Sequence, residues 1–237
     1  MLGQEAVAEK SNEITAIPLL LQRLELTGAL VTIDALGTQS EIAQTIIDRG
    51  GDYLLSLKQN RPATHAEVET FFANPPPDTR LDTCATVDGE HGRIETRHHS
   101  VCHNVDWLFS DRRYPGELAF PALAMIGQVV SETERDGKLA RETRYYLCSI
   151  KLDAETFARA VRGHWGIENR LHWVLDVVFH DDLARLRTGH GPQNMAIIKH
   201  SALNLISQAK PTTSLKNRRK RAGWNPDYLA AVIQGTA

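Results

Sequence analysis

The sequence has few cysteines, few aromatic residues and no long hydrophobic run. Its three cysteines are an odd number among 237 residues, and no two of them have Cys-x-x-Cys spacing, which argues against a disulfide framework. No apolar segment approaches the roughly 18 residues of a membrane-spanning helix, and no signal-peptide pattern is present. We therefore expect a cytoplasmic protein with no membrane association.

Charge is nearly balanced, with a formal net charge of -2, so the whole chain has no bulk attraction to nucleic acid. The distribution is uneven, however, because five cations occur within the six residues 216–221. With Trp224 and Tyr228 nearby, this run is a candidate DNA-binding surface with aromatic support, and the alternative is a solvated charge cluster. Its cations are Lys216, Arg218, Arg219, Lys220 and Arg221.

The first 80 residues predict a βαβ unit. Residues 26–33 are typical of a buried strand, and Ser40 is a plausible N-cap for a helix over 41–49 that ends at Gly50-Gly51. Residues 52–58 predict the second strand. A short helix over 64–73 should end at the run of three prolines that begins at Pro75.

The middle of the chain predicts two β-hairpins, and the last third predicts helices. The hairpins cover residues 81–103, with a turn at 88–92, and 122–149, with a turn at Asp136-Gly137. Helices are expected from 153 to about 162, through Glu168 to Phe179, over 192–209 and after Pro226. The expected class is α/β, divided into a partial core (1–80), a β-rich insertion (81–150), helices completing the core (151–209) and a basic tail with a short helix (210–237).

Two carboxylates stand at positions that packing explains poorly. Asp34 follows a predicted central strand and precedes a glycine-containing turn, which is where open α/β sheets bind ligands. Glu168 falls on the apolar face of its predicted helix, close to Leu171 and Leu175. An ionised glutamate is rarely kept on such a face unless it is paired or binds a metal. The alternative for Glu168 is a salt bridge with a neighbouring arginine.

If Asp34 and Glu168 face each other, they form a hard-oxygen site suited to Mg²⁺ or Mn²⁺. Phosphoryl transfer at such sites uses two metal ions roughly 4 Å apart, and two ions normally need three or more carboxylates. Only these two strong candidates are present.

Three basic residues near these carboxylates are candidate DNA phosphate contacts. Lys58 ends a strand at the same sheet edge as Asp34, since the two strands are expected to be parallel; the alternative is a solvated strand end. His164 could contact phosphate or orient Glu168. Arg162 could contact phosphate or pair with Glu168.

A histidine-rich hairpin offers a weaker metal hypothesis. Zinc binding needs converging ligands, and the spacing here does not specify convergence. Alternating exposed positions on a hairpin explain the pattern about as well. The residues are Cys84, His91, His98, His99, Cys102 and His103.

Seven blocks of the sequence resemble one group of proteins, the ISAs-type insertion-sequence transposases that include the H-repeat-associated proteins. The resemblance covers nearly the whole chain, and several of its blocks are long enough to be specific. The blocks are residues 10–18, 31–37, 50–58, 92–95, 164–169, 171–179 and 214–229.

This resemblance implies a ribonuclease-H-like fold with a β-rich insertion before the helix that carries the catalytic glutamate. It implies Mg²⁺- or Mn²⁺-dependent cleavage and transfer of DNA strands by an Asp-Asp-Glu triad. By position, Asp34 matches the second aspartate and Glu168 the glutamate. The expected partners are DNA at the transposon ends and target, with homo-oligomerisation also expected.

The chain also departs from the family pattern. The first aspartate of the family lies upstream of the segment that begins at Leu2, so the resemblance predicts an N-terminally truncated chain that is inactive alone. Gln59 and Arg61 stand where the family usually has glycine and glutamine, and His180-Asp181 replaces Asn-Glu. The alternatives are a nuclease or resolvase of the same superfold and a non-catalytic DNA-binding relic.

Overall fold

A computed structural model describes residues 5, 13–90, 93–109, 120–135, 137–167, 171–210 and 212–236. The chain forms two compact units, residues 2–164 and residues 165–237. The first unit is a mixed α/β structure and the second is helical, which confirms the predicted α/β class. The division into four domains stays a prediction.

The first unit is built on a six-stranded mixed sheet with the strand order β1-β2-β6-β5-β4-β3. The β1–β2 pair is parallel and every other pair is antiparallel. The elements are α1 (Glu13–Leu21), β1 (Leu30–Ile33), α2 (Ser40–Asp48), β2 (Asp52–Leu57), α3 (Pro62–Ala73), β3 (Asp82–Glu90), β4 (Arg93–Cys102), β5 (Met125–Arg135), β6 (Lys138–Cys148) and α4 (Ala154–Ile167), with a short 3-10 helix at Asp106–Phe109.

The predicted βαβ unit is present, but its first strand is shorter than predicted. Among the described strands it is a half-buried edge strand, so the prediction of a buried central strand before Asp34 is wrong. Glu25 accepts a hydrogen bond from the N–H of Thr27 (3.0 Å), and Gly28 has a φ of 72°, so a turn precedes Leu30. Gly50 closes α2 as predicted, with a φ of 73° and its N–H donating to Ile47. A side chain with a Cβ would be strained there, which explains the glycine.

The predicted N-cap of α2 is wrong. The helix begins at Ser40, and Gln39 occupies the N-cap position without a side-chain hydrogen bond to the helix. Ser40 is buried, with only 7% of its surface exposed. Its residue type suggested a cap, but packing placed it one residue inside the helix.

The two predicted hairpins are present and they extend the βαβ sheet. Strand β6 pairs with β2 from Leu54–Cys148 to Leu57–Tyr145, which joins residues more than 85 positions apart in sequence. In the predicted turns, residues 91, 92 and 136 lie outside the described residues. The β-rich segment is thus continuous with the first strands through hydrogen bonding.

Helices cover both faces of the sheet around β2. On one face, Tyr53, Leu55 and Leu57 join a core that includes Ile46 of α2 and Val68 of α3. On the other face, buried Phe157 of α4 lies edge-on to Tyr146, with ring centroids 5.4 Å apart. This burial on both faces explains why β2 has an almost continuous apolar sequence.

The second unit contains α5 (Trp173–Phe179), α6 (Gly191–Gln208), α7 (Leu215–Trp224) and α8 (Pro226–Gln234), together with the last three residues of α4. The helix predicted to end near Arg162 continues through two glycines to Ile167. The basic run predicted as a tail is instead helical, because Ser214 caps α7 by accepting a hydrogen bond from the N–H of Asn217. Among the described residues, no helix is both long and apolar enough to cross a bilayer.

The contact between Gly127 and α4 gives a test of this packing. A Cβ at Gly127 would lie 2.6 Å from the ring of Phe157, so Gly127→Ala should lower the free energy of unfolding by about 1–3 kcal/mol through overpacking. Urea denaturation measures this change. Gly89→Ala is the matched control, because a Cβ on that strand would meet no atom within 4 Å and unfolding should change little. Equal stability of both variants would contradict the packing.

Candidate active site

Asp34 lies immediately after β1 with one carboxylate oxygen engaged. Its Oδ1 accepts hydrogen bonds from the backbone N–H groups of Leu36 (3.1 Å) and Gly37 (3.3 Å). Within the described part of the chain, no hydrogen bond or ion pair engages its Oδ2, and the residue is exposed. The end of β1 therefore presents an exposed carboxylate whose Oδ1 is held by hydrogen bonds and whose Oδ2 is not.

Gly37 allows the loop after Asp34 to turn closely over β1. A Cβ at this position would overlap Cγ2 of Ile33 and lie 3.0 Å from Cδ1 of Ile17, two partly buried side chains packed against the core. Real Cβ atoms do not approach other atoms this closely, so the site excludes every residue except glycine without a shift of the core.

Side chains from the following loops hold the Asp34 loop. The Thr38 hydroxyl lies 3.0 Å from the carbonyl oxygen of Asp34 and 2.6 Å from that of Ser56. Asn60 donates from Nδ2 to the carbonyl of Ala35. Arg61 donates to the carbonyl of Thr38 (3.4 Å). Neither Thr38 nor Asn60 is predictable as a site residue from the sequence, because contacts of side chains with the backbone of another loop leave no periodic signal.

Lys58 lies at the same end of the sheet as Asp34. Strands β1 and β2 are parallel with Ile33 opposite Leu55, and Lys58 is the first residue after β2. Its side chain is exposed. The pKa of the Glu142 carboxyl is lowered mainly by the hydrogen bond from Arg144 and in smaller part by the charge of Lys58.

Helix α4 brings His164 to β1. The start of α4 is fixed by two carboxylates: Asp82 accepts from the N–H of Ala154 (2.9 Å) and Asp153 from that of Thr156 (2.6 Å). Near its other end, His164 Nδ1 lies 3.1 Å from the Thr32 hydroxyl. Thr32 precedes Asp34 by two residues, the spacing that places strand side chains on one face. His164 thus reaches the strand that leads to Asp34.

The other predicted residues of this helix have different outcomes. Glu168 lies outside the described residues, so its predicted place opposite Asp34 stays a prediction. Arg162 pairs with Asp88 of β3, with an N–O distance of 3.1 Å. Asp88 also pairs with Arg97. Arg162 is thus held in an ion pair, but its partner is Asp88 and not the predicted Glu168.

The predicted DNA-binding cations of α7 differ in their surroundings. Arg218 donates from Nη1 to three carbonyls at the end of α6, at 2.8 Å (Ile206), 3.2 Å (Ser207) and 2.9 Å (Ala209). It therefore acts as a side-chain cap of α6.

Two other arginines of α7 stack on rings and its two lysines are exposed. The guanidinium of Arg219 lies 5.8 Å from the ring centroid of Phe179, and that of Arg221 lies 4.3 Å from the ring of Tyr228. Lys216 and Lys220 are four residues apart on the exposed side of the helix, one turn from each other. Trp224, which is 71% exposed, continues this line by one more turn.

The structure gives no support to the zinc hypothesis. In the described ranges, no three His, Cys, Asp or Glu side chains form a group that could hold a metal ion, and His91 is not among those residues. His99 is buried near Phe157, and desolvation lowers its pKa. Burial also raises the pKa of the Cys102 thiol. His99 and Cys102 are therefore packed inside the protein.

Comparison with known proteins gives the family. A family model described as "Transposase DDE domain" matches residues 1–205. YhhI of Escherichia coli K12, an H repeat-associated protein whose name proposes a transposase, is 35% identical over all of this chain and 63% of its own length. YncI of Escherichia coli O157:H7, whose name also proposes a transposase, is 40% identical over 98% of this chain and 60% of its own length.

No solved structure matches the chain. The chain spans less than two thirds of the length of these curated relatives. The family model, however, covers most of the chain, and the relatives align with nearly all of it. The resemblance inferred from the sequence is thereby confirmed: the chain belongs to the DDE transposase domain family.

Proposed function

We propose that this protein is the transposase of a bacterial insertion sequence, and that it cleaves and transfers DNA strands with the help of divalent metal ions. The observation that carries the proposal is the Asp34 carboxylate, which follows a half-buried parallel strand with Oδ1 hydrogen-bonded and Oδ2 free of contacts with described residues. Membership of the DDE family supports it. A ribonuclease-H-like arrangement of the core is part of this proposal.

Asp34 and Glu168 are the proposed ligands for Mg²⁺ or Mn²⁺. An exposed carboxylate oxygen is the hard ligand that these cations prefer, so Asp34 fits the role. Glu168 directly follows the last described residue of α4, the helix whose His164 contacts β1. When bound, such ions activate the attacking oxygen and stabilise the leaving oxygen of a phosphodiester.

The surrounding residues are proposed to bind and orient the DNA. Lys58 is exposed beside Asp34 at the sheet edge and would neutralise a backbone phosphate near the carboxylates. His164 is held to Thr32 and would fix the direction of α4 toward Glu168. Arg162 would reach DNA only by leaving Asp88, so it ranks below Lys58 as a phosphate contact.

Metal binding by the isolated chain should be weak, because two carboxylates normally hold one hard cation whose shell is completed by water. Calorimetry with Mn²⁺ should show at most one low-affinity site, which is lost in Asp34→Asn and in Glu168→Gln. Asp78→Asn, a change at an exposed loop position, is the matched control and should bind as the parent does. Tight binding of two ions to the parent chain would falsify this prediction.

Strand cleavage by the 237-residue chain alone is expected to be absent. Two candidate carboxylates are too few to hold two metal ions, and stabilisation by the second ion accounts for several kcal/mol of barrier reduction. We propose that the third carboxylate comes from another polypeptide segment. Adding the upstream segment of a family member, in cis or in trans, should restore joining of labelled transposon-end DNA to a target. Asp34→Asn and Glu168→Gln should each abolish the restored reaction.

Two outcomes would contradict this scheme. Manganese-dependent cleavage by the unaided chain, lost in both carboxylate variants, would show that no third ligand is needed. Cleavage without joined products would favour a nuclease over a transposase.

The exposed side of α7 is the proposed DNA-contacting face, with Lys216 and Lys220 as phosphate contacts beside Trp224. Exposed lysines one turn apart can approach a duplex without breaking internal contacts, whereas Arg218 is committed to the carbonyls of α6. Arg219 and Arg221 can add charge while they remain stacked on their rings. The structure thus supports a division of the basic run into contact and structural residues.

Salt dependence of DNA binding tests this division. Each neutralised phosphate contributes about -0.9 to the slope of log K against log[salt], so replacing Lys216 and Lys220 together with alanine should flatten the slope by about two units. Thermal stability should change little, since both side chains are exposed. Binding to duplex DNA is measured by fluorescence anisotropy at several salt concentrations.

Arg218→Ala is the matched control from the same helix. It leaves carbonyls at the end of α6 without a donor, so it should destabilise the helical unit by about 1–3 kcal/mol and leave the salt slope within one unit. If the double lysine variant retains the parent slope, α7 is a solvated surface and does not contact DNA.

A further inference from the structure

We propose that Thr38 is a positioning residue for Asp34, with Asn60 and Arg61 as its supports: together they hold the Asp34 loop to the end of β2, so that the carboxylate is preset to take a divalent cation through Oδ2. The inference rests on the proposed role of Asp34 as a metal ligand. It adds the residues that fix this ligand in place.

The Thr38 hydroxyl links β1 and β2 just beyond the last backbone pair of their ladder. The β1–β2 ladder ends at the pair Ile33–Leu55, and the next pair in this register would be Asp34 and Ser56. The Thr38 hydroxyl lies within hydrogen-bond distance of the carbonyls of both residues, at 3.0 Å and 2.6 Å. Thr38 has no exposed surface, so water does not compete for these contacts. The hydroxyl has one proton, which the two carbonyls share, so a single buried group bridges the strand ends beyond their ladder.

Two side chains of the loop after β2, Asn60 and Arg61, also bind the Asp34 loop. Asn60 donates to the carbonyl of Ala35, the residue next to Asp34. Arg61 donates to the carbonyl of Thr38 at 3.4 Å and to Oε1 of Gln39 at 2.5 Å. Its guanidinium also lies 5.9 Å from the ring centroid of Phe120. The Asp34 loop is thus tied to β2 at several backbone positions, and none of these contacts uses the Asp34 carboxylate.

The consequence is a carboxylate with one defined free oxygen. Because the peptides after Asp34 are held, the N–H groups of Leu36 and Gly37 converge on Oδ1. Rotation of the carboxylate would break both bonds, so Oδ2 is kept in a single direction. A ligand that is already ordered loses less conformational freedom when it binds a cation, which raises affinity without a new contact.

Manganese affinity of the full chain, followed by water-proton relaxation, tests the proposal. Thr38→Val keeps the side-chain shape but removes the hydroxyl, and it should weaken Mn²⁺ binding about tenfold, as loss of an outer-shell contact typically does. Thr38→Ser keeps the hydroxyl and should bind within about twofold of the parent. Val68→Ala, in the core of α3, is the control for a general loss of stability and should bind as the parent does.

A second variant covers the case in which Thr38→Val does not fold. Asn60 is exposed, so Asn60→Ala should fold normally and still weaken Mn²⁺ binding at least twofold, about the effect of one lost hydrogen bond. Circular dichroism confirms folding for every variant. Weaker binding in Asn60→Ala with an unchanged melting temperature supports positioning over bulk stability.

The outcomes separate this inference from the proposed function. If Asp34→Asn binds Mn²⁺ like the parent, Asp34 is not a ligand, and the positioning role falls with it. If Asp34→Asn abolishes binding while both Thr38→Val and Asn60→Ala bind like the parent, only the positioning role is overturned. Equal weakening by Thr38→Val and Thr38→Ser also overturns it, because the hydroxyl would then be irrelevant.

Discussion

The structure depends on one strand, β2, that is hydrogen-bonded on both sides and packed on both faces. It pairs in parallel with β1 through residues 52–55 and antiparallel with β6 through residues 54–57, so Leu54 and Leu55 belong to both registers. The parallel side places Asp34 and Lys58 at a common edge. The antiparallel side anchors the hairpins, whose sheet supports Phe157 of α4 and so the approach of His164 to Thr32. A register shift in β2 would move all of these groups together.

Most helices and strands could be predicted because the residues that form and end them lie within a few positions of one another in the sequence. Gly50 marks the end of α2 through its positive φ, and Gly137 does the same beside the second hairpin turn. The joining of the hairpins to β2 could not be predicted, since no local pattern encodes the pair Leu54–Cys148. Helix α7 was missed for a related reason: its main anchor is Arg218, whose hydrogen bonds reach back to α6, and a charge run gives no apolar periodicity.

Only those residues of the candidate site that have a recognisable position, such as the end of an apolar strand, could be predicted from the sequence. Asp34 was predicted as a ligand because an apolar strand ended in a carboxylate, and the family resemblance supplied Glu168 as its predicted partner. The groups that hold Asp34 act through backbone carbonyls, and such contacts depend on how two loops meet in space. Arg61 stood out in the sequence only as a departure from the family pattern. In the structure it donates hydrogen bonds to Thr38 and Gln39 and so holds the two loops together.

Charge in this chain is organised locally, and the two units use it differently. In the first unit, Asp82 and Asp153 accept hydrogen bonds that fix the start of α4, whereas Asp34 is an exposed carboxylate at the end of a strand whose Oδ1 accepts hydrogen bonds only from its own loop. In helix α7 of the second unit, Arg218 binds the carbonyls at the end of α6 and Arg221 lies over a ring, while Lys216 and Lys220 face solvent. An arginine has a planar fork that can satisfy several carbonyls, whereas a lysine is a mobile point charge that follows a phosphate backbone. The same basic run can therefore build the helical unit with Arg218 and leave Lys216 and Lys220 exposed for the DNA contact that we propose, although the net charge of the chain is negative.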